Sequence, residues 1–181
     1  NRNVMIDDAG SIAVQYDKVH LFDVKLPDGT RYEESMHVIA GRERVLVDMH
    51  QAVMGLSICY DLRFPEHYRA LARAGAEVLL VPSAFTRPTG EAHWKPLIRA
   101  RAIENQAFVI AAGQCGTHPG GRETWGHSLI VGPWGEVLAD GGADCGFILA
   151  EVDTGRVAEA RAMIPSLQHD RPINLGASEP D

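Results

Sequence analysis

Val53-Met54-Gly55-Leu56-Ser57-Ile58-Cys59-Tyr60-Asp61-Leu62-Arg63-Phe64-Pro65-Glu66 is the stretch that decides the fold. Residues 53–58 form an apolar run of strand length and read as a buried strand. Pro65 suits the first turn of a following helix, where its missing N–H costs nothing. Cys59 therefore stands at a sharp strand-to-helix turn, held out from the sheet with a backbone N–H beside it. A nucleophile elbow gives the serine of a hydrolase the same setting. Free cysteine is otherwise among the most buried and inert residue types, so the meaning of Cys59 rests on what shares its surroundings.

Working outward, residues 4–6 and 11–16 read as a β-hairpin around the turn Asp7-Asp8-Ala9-Gly10. The polar, glycine-containing sequence of residues 25–44 reads as one long loop, a length that usually marks function. Residues 45–47 read as a strand before the elbow strand. Tyr68, Leu71 and Ala72 fall at helical spacing after it, and Gly75 closes that helix. Residues 77–81 are the next strand. Trp94, Leu97, Ile98 and Ala102 mark a second helix, and Pro96 places its start near His93 or Trp94. Residues 108–112 read as a strand, and residues 125–131 and 136–139 as a second hairpin. Residues 147–152 form a further strand and 154–163 a helix, while 165–181 read as an extended arm. Strands alternating with helices predict an α/β layered fold with a mixed sheet.

The bulk numbers narrow the class. A chain of 181 residues that is 45% hydrophobic and 23% charged can bury the core of one globular domain. Its net charge of −7, with no basic stripe, argues against nucleic acid and anionic membrane as partners. No apolar stretch reaches the length of a membrane span and no signal-peptide pattern opens the chain, which predicts a cytoplasmic location. The cysteines Cys59, Cys115 and Cys145 are odd in number and widely spaced, as in a reducing compartment. Eight histidines lie scattered without ligand spacing, so neither a metal nor another cofactor is expected. The chain opens on Asn1-Arg2-Asn3 and passes at once into a strand, as if a longer protein had been cut at an internal point.

Three features converge with Cys59. Tyr16-Asp17-Lys18-Val19-His20-Leu21-Phe22-Asp23 places a lysine at a strand end among aromatic and aliphatic residues. Glu34-Ser35 places a carboxylate in the long loop, and Pro82-Ser83-Ala84-Phe85 ends the strand after the elbow helix. Taken singly, Lys18 is a surface lysine, Glu34 a solvated acid and Phe85 a core or lid aromatic. Phe85 and Arg87 sit where a substrate could meet them, and Arg87 could pair with a substrate carboxylate. Arg63 and Glu66 read as a structural ion pair or backbone clamp.

Together these motifs resemble the carbon–nitrogen hydrolase, or nitrilase, superfamily. Ala92-His93-Trp94, Arg99-Ala100-Arg101-Ala102-Ile103-Glu104, Trp125-Gly126-His127-Ser128 and Pro133-Trp134-Gly135-Glu136 extend the likeness. Gln114-Cys115-Gly116-Thr117-His118 and Ile164-Pro165-Ser166-Leu167-Gln168-His169 look like its deaminated glutathione amidase branch, with the omega-amidases nearby. The resemblance implies an α-β-β-α four-layer sandwich, with residues 1–181 the C-terminal portion of a single domain. It also implies a homodimer or larger assembly.

The same resemblance implies a Glu–Lys–Cys triad, of which Cys59 and Lys18 match two members. Glu34 resembles the family's second glutamate, which positions the lysine, and the Tyr60 backbone N–H would share the oxyanion with Lys18. The general-base glutamate belongs to an earlier strand, and no residue here matches it. The implied function is an amidase that releases ammonia from a small linear omega-amide acid through a cysteine thioester. The rival readings are a catalytically incomplete fragment or partner subunit, an N-carbamoyl amine amidohydrolase, and a nitrile hydrolase.

Overall fold

The computed structural model describes residues 1–26 and 29–172. Its strands are β1 (Arg2–Ile6), β2 (Ile12–Asp17), β3 (Asp23–Lys25), β4 (Arg31–Glu33), β5 (Leu46–Asp48) and β6 (Val53–Leu56). After helix α1 (Pro65–Arg73) come β7 (Val78–Leu80), helix α2 (Arg87–Asn105) and β8 (Phe108–Ala111). Then follow β9 (Cys115–Thr117), β10 (Glu123–Trp125), β11 (Leu129–Val131), β12 (Val137–Asp140), α3 (Gly155–Met163) and α4 (Ser166–His169).

Six strands form one mixed sheet in the order β12-β11-β8-β7-β6-β5. The central β6, β7 and β8 are parallel, joined through α1 and α2, while β5, β11 and β12 add antiparallel edges. Side chains alternate across this sheet. Leu79, Val109, Ala111, Leu129 and Val131 face α1 and α2, where Leu71, Trp94, Ile98 and Ala102 complete a fully buried core. Val78 and Phe108 point the other way, toward Val152 and, on α3, Val157. The β1–β2 hairpin covers the elbow end of that second face, packing Tyr16 on Leu56 and Ile58.

Several local readings are corrected. Residues 25–44 are not one loop, because β3 and β4 pair as a hairpin and residues Glu34–Met36 add a 3-10 turn. Helix α2 begins at Arg87, well before His93: Pro88 occupies its first turn and Pro96 lies in its interior. An interior proline removes one backbone hydrogen bond, but burial of Trp94 and Ile98 on either side of it holds the helix through. Residues 147–152 have the alternation of a strand, with Ile148, Ala150 and Val152 half-buried and Phe147 and Leu149 exposed. They form no ladder among the described residues. The tail contributes the short helix α4 rather than an extended arm, and residues 173–181 lie outside the described residues. The β9–β10 hairpin has no clear signal in the sequence, and the strand expected over residues 125–131 is split, because Trp125 ends β10, paired to β9, and Leu129 begins β11, paired to β12.

Candidate active site

The elbow forms as a strained turn. Strand β6 ends at Leu56, and residues Cys59–Arg63 make a 3-10 turn before Pro65 opens α1. Cys59 has φ +50°, a left-handed conformation that non-glycine residues adopt at a cost of order 1–3 kcal/mol. Its N–H donates to the Pro82 carbonyl at 3.0 Å, which ties the turn to the end of β7. The Tyr60 N–H, next in line, has no acceptor among the described residues, so it is available to an oxyanion.

Asp61 holds this turn in place. It is fully buried, and its carboxylate accepts from the Ile58 N–H at 2.8 Å and the Tyr16 hydroxyl at 2.7 Å. Its other oxygen accepts from the His20 N–H at 3.0 Å and lies 2.7 Å from His20 Nδ1. An ionised carboxylate can only accept, so Nδ1 carries the proton in that contact. His20 in turn stacks on Phe64, with ring centroids 3.6 Å apart. One carboxylate thus bonds to the strand before Lys18, the segment after it and the turn that carries Cys59.

Lys18 is 2% exposed, and its ammonium meets Glu34 Oε2 at 2.5 Å. Glu34 Oε2 also accepts from the Phe22 N–H at 2.7 Å, and Oε1 from Asn1 Nδ2 at 2.8 Å. Burial pushes the Glu34 carboxyl up, but Lys18, Asn1 and the Phe22 N–H outweigh it and hold it below the usual carboxylate range. Glu34 is therefore a fixed anion that orients Lys18. Burial pushes the Cys59 thiol up, only partly offset by a backbone hydrogen bond at Ala84, the charge of Lys18 and the Ser83 side chain. On these residues alone the thiol stays protonated at neutral pH and needs a base to become a nucleophile.

Cys59, Lys18, Glu34, Tyr60 and Phe85 all line one open cleft of about 1140 Å³. Phe85 packs against Trp94 with centroids 5.0 Å apart, and the Arg63 guanidinium lies 5.4 Å from its ring centroid. Arg63 also reaches His93 at 3.3 Å, so it clamps this wall instead of pairing with Glu66. Arg87 is not brought in. It begins α2, lies outside the cleft wall and pairs with Glu123 at 3.2 Å. Arg31 and Arg122 line the cleft instead. Arg122 comes from the glycine-rich turn before β10 and donates to the Ala84 carbonyl at 3.0 Å. The sequence carried no signal for Arg122 beyond a cation in a turn. Asp61 could have been suspected as an acid inside an otherwise apolar elbow. Among the described residues, no three His, Cys, Asp or Glu side chains cluster to hold a metal ion.

Comparison with known proteins places the chain in a family. The carbon–nitrogen hydrolase family profile matches residues 1–162. The chain is 49% identical over 171 residues to the deaminated glutathione amidase of Synechocystis, covering 93% of this chain and 63% of that protein. It is 48% identical over 175 residues to that of Dictyostelium discoideum, covering 94% and 60%. The chain thus spans roughly three-fifths of the length of these relatives. Among solved structures, the C. elegans NitFhit protein superposes with a TM-score of 0.85 at 43% identity, over 94% of this chain and 42% of that one. A Nesterenkonia amidase carrying a covalent acetamide moiety at its active-site cysteine superposes with a TM-score of 0.77 at 28% identity, over 94% and 58%. Sequence, profile and fold agree that this chain belongs to the carbon–nitrogen hydrolase family.

Proposed function

We propose that these residues form the nucleophile half of an amidase active site, acting on a small linear omega-amide acid. The observation that carries this reading is Cys59, on a left-handed turn, opening into the same cleft as the buried Lys18–Glu34 pair. The Cys59 thiolate attacks the amide carbon, and the tetrahedral oxyanion takes hydrogen bonds from the Tyr60 N–H and the Lys18 ammonium. Collapse expels ammonia and leaves a thioester, which water then hydrolyses. The substrate class rests on relatives named deaminated glutathione amidase at 41–49% identity. Arg31 and Arg122 on the cleft wall suit the carboxylates of such a substrate.

The base that takes the thiol proton and hands it to the departing nitrogen has no match among the described residues. Glu34 is taken up by Lys18, Asn1 and Phe22, and Glu33, the other acid of the cleft, is exposed on β4. This favours the second reading, in which the 181 residues alone are the catalytically incomplete C-terminal portion of one domain. Assembly as a homodimer or larger is part of the same proposal.

The test is ammonia release by the full-length protein from deaminated glutathione and from short omega-amide acids. It is paired with mass spectrometry of an acid-quenched reaction. Ammonia together with an acyl adduct on Cys59 is the expected result. Turnover of N-carbamoyl amines or nitriles in preference to omega-amides would overturn the substrate class, and an adduct on any other residue would overturn the site.

A further inference from the structure

The fold brings together two cysteines that the mechanism does not use. Cys115 Sγ, at the start of β9, lies 3.4 Å from Cys145 Sγ, in the turn after β12, although 30 residues separate them. Two backbone hydrogen bonds fix this approach. The Gly126 N–H donates to the Gln114 carbonyl at 2.9 Å, and the His127 N–H donates to the Gly142 carbonyl at 2.6 Å. The consecutive residues 126 and 127 therefore hold the two cysteine-bearing segments side by side.

Gly126 allows the approach. A Cβ there would fall 2.9 Å from Cys115 Cβ and 3.1 Å from the Gly142 oxygen, so any side chain would push the segments apart. Their chain neighbours Gln114 and Gly146 are part of the cleft wall.

We propose that Cys115 and Cys145 are a redox dithiol, closing to a disulfide by exchange with a low-molecular-weight disulfide and clasping residues 141–146 to β9 at the cleft rim. Cys145 is exposed and Cys115 half-buried behind it, so Cys145 meets the oxidant first. Its thiolate attacks one sulfur of the small disulfide, forming a mixed disulfide and expelling one thiolate. The Cys115 thiolate then attacks the Cys145 sulfur and expels the second. Two protein thiols are oxidised, one small disulfide is reduced to two thiols, and the two protons leave on those thiols.

The experiment equilibrates the full-length protein, carrying Cys59→Ser to silence the cleft thiol, in buffers of reduced and oxidised glutathione. Samples are acid-quenched for intact mass and non-reducing peptide mapping, and the wild-type protein is mapped in parallel. The expected result is a mass loss of two hydrogens with a linked peptide pair containing Cys115 and Cys145, in both proteins. Hydrogen exchange across residues 141–146 should slow on oxidation, while Cys145→Ser abolishes both effects. Glutathione retained on Cys145 with Cys115 free, or both thiols unmodified in the most oxidising buffer, would overturn the dithiol. A disulfide with unchanged exchange at 141–146 would overturn the clasp. None of these readouts depends on amidase activity.

Discussion

The Tyr16 hydroxyl donates to Asp61 Oδ2 at 2.7 Å, and both residues are fully buried. This bond joins the strand that delivers Lys18 to the turn that delivers Cys59, across 45 residues of chain. Asp61 has no spare oxygen, because the Ile58 N–H and two donors of His20 share its remaining capacity.

Replacing Asp61 should therefore cost more than replacing Tyr16. Asp61→Asn turns an acceptor into a donor that faces buried N–H groups, a loss of about 3 kcal/mol or more. Tyr16→Phe removes one donor to Asp61 and the acceptor of the Val19 N–H at 3.3 Å, but leaves the other donors to Asp61 in place, costing about 1–2 kcal/mol. Urea denaturation of both variants gives the comparison. An Asp61→Asn protein within about 0.5 kcal/mol of wild type would show that the carboxylate is not the tie described here.

Cys59→Ala in the full-length protein should lower ammonia release by far more than tenfold, since a lost covalent nucleophile is not replaced by water at comparable rate. Cys115→Ser and Cys145→Ser, assayed under reducing conditions, should keep turnover within a few-fold. Near-normal activity in Cys59→Ala would remove the thioester from the scheme.

Much of this was legible because it is local. The elbow, its strand and its helix sit in one stretch of residues, where an apolar run, a turn and Pro65 each carry their own signal. Lys18 and Glu34 became legible only through the family likeness, since nothing in their own neighbourhoods says that one is buried against the other. Asp61, Arg122 and the Cys115–Cys145 pair depend on contacts between distant segments, which periodicity does not report. The start of α2 is not legible from Pro96, because tertiary burial of Trp94 and Ile98 overrides its helix-breaking weight. Arg87, at the start of that helix, pairs with Glu123, a contact between distant segments that the sequence does not report.

The Lys18–Glu34 pair makes a pH prediction whose sign can be worked out. Burial alone would raise the Glu34 carboxyl, but Lys18, Asn1 and the Phe22 N–H hold it below its unfolded value. Folded protein then binds fewer protons here than unfolded protein. The contribution is present above the ordinary glutamate pKa of about 4.3 and is lost as pH falls through the lowered value. Glu34→Gln should flatten the loss of stability between about pH 5 and pH 3, without abolishing it, because Asp17, Asp23 and Asp140 are lowered too. An identical acid slope in wild type and Glu34→Gln would count against the pair.

Lys18→Met should leave the fold assembled around Asp61 while lowering kcat by roughly a hundredfold or more, as loss of an oxyanion donor does. The split between kcat and KM is the informative readout. Preserved kcat with a raised KM would make Lys18 a substrate-binding lysine instead.

A polypeptide of these 181 residues alone tests the proposal that the general base lies in another segment. With burial pushing its thiol up and no hydrogen-bonded carboxylate beside it among the described residues, Cys59 is weakly nucleophilic at neutral pH. An activated aryl ester still gives up its leaving group without a delivered proton, so acylation of Cys59 can proceed. Amide cleavage cannot keep pace, because the departing nitrogen must be protonated. Deacylation also lags, since no positioned carboxylate activates water. The expected outcome is a burst of one aryl alcohol per chain, a stable acyl adduct on Cys59 by mass, and no sustained ammonia from an omega-amide. Adding a glutamate-bearing complementary segment should restore turnover if the cleft is otherwise complete. Repeated amide turnover by the 181 residues alone, at confirmed mass, would refute the assignment of the base to another segment. It would then make Glu33, the exposed acid of the cleft, the residue to replace next.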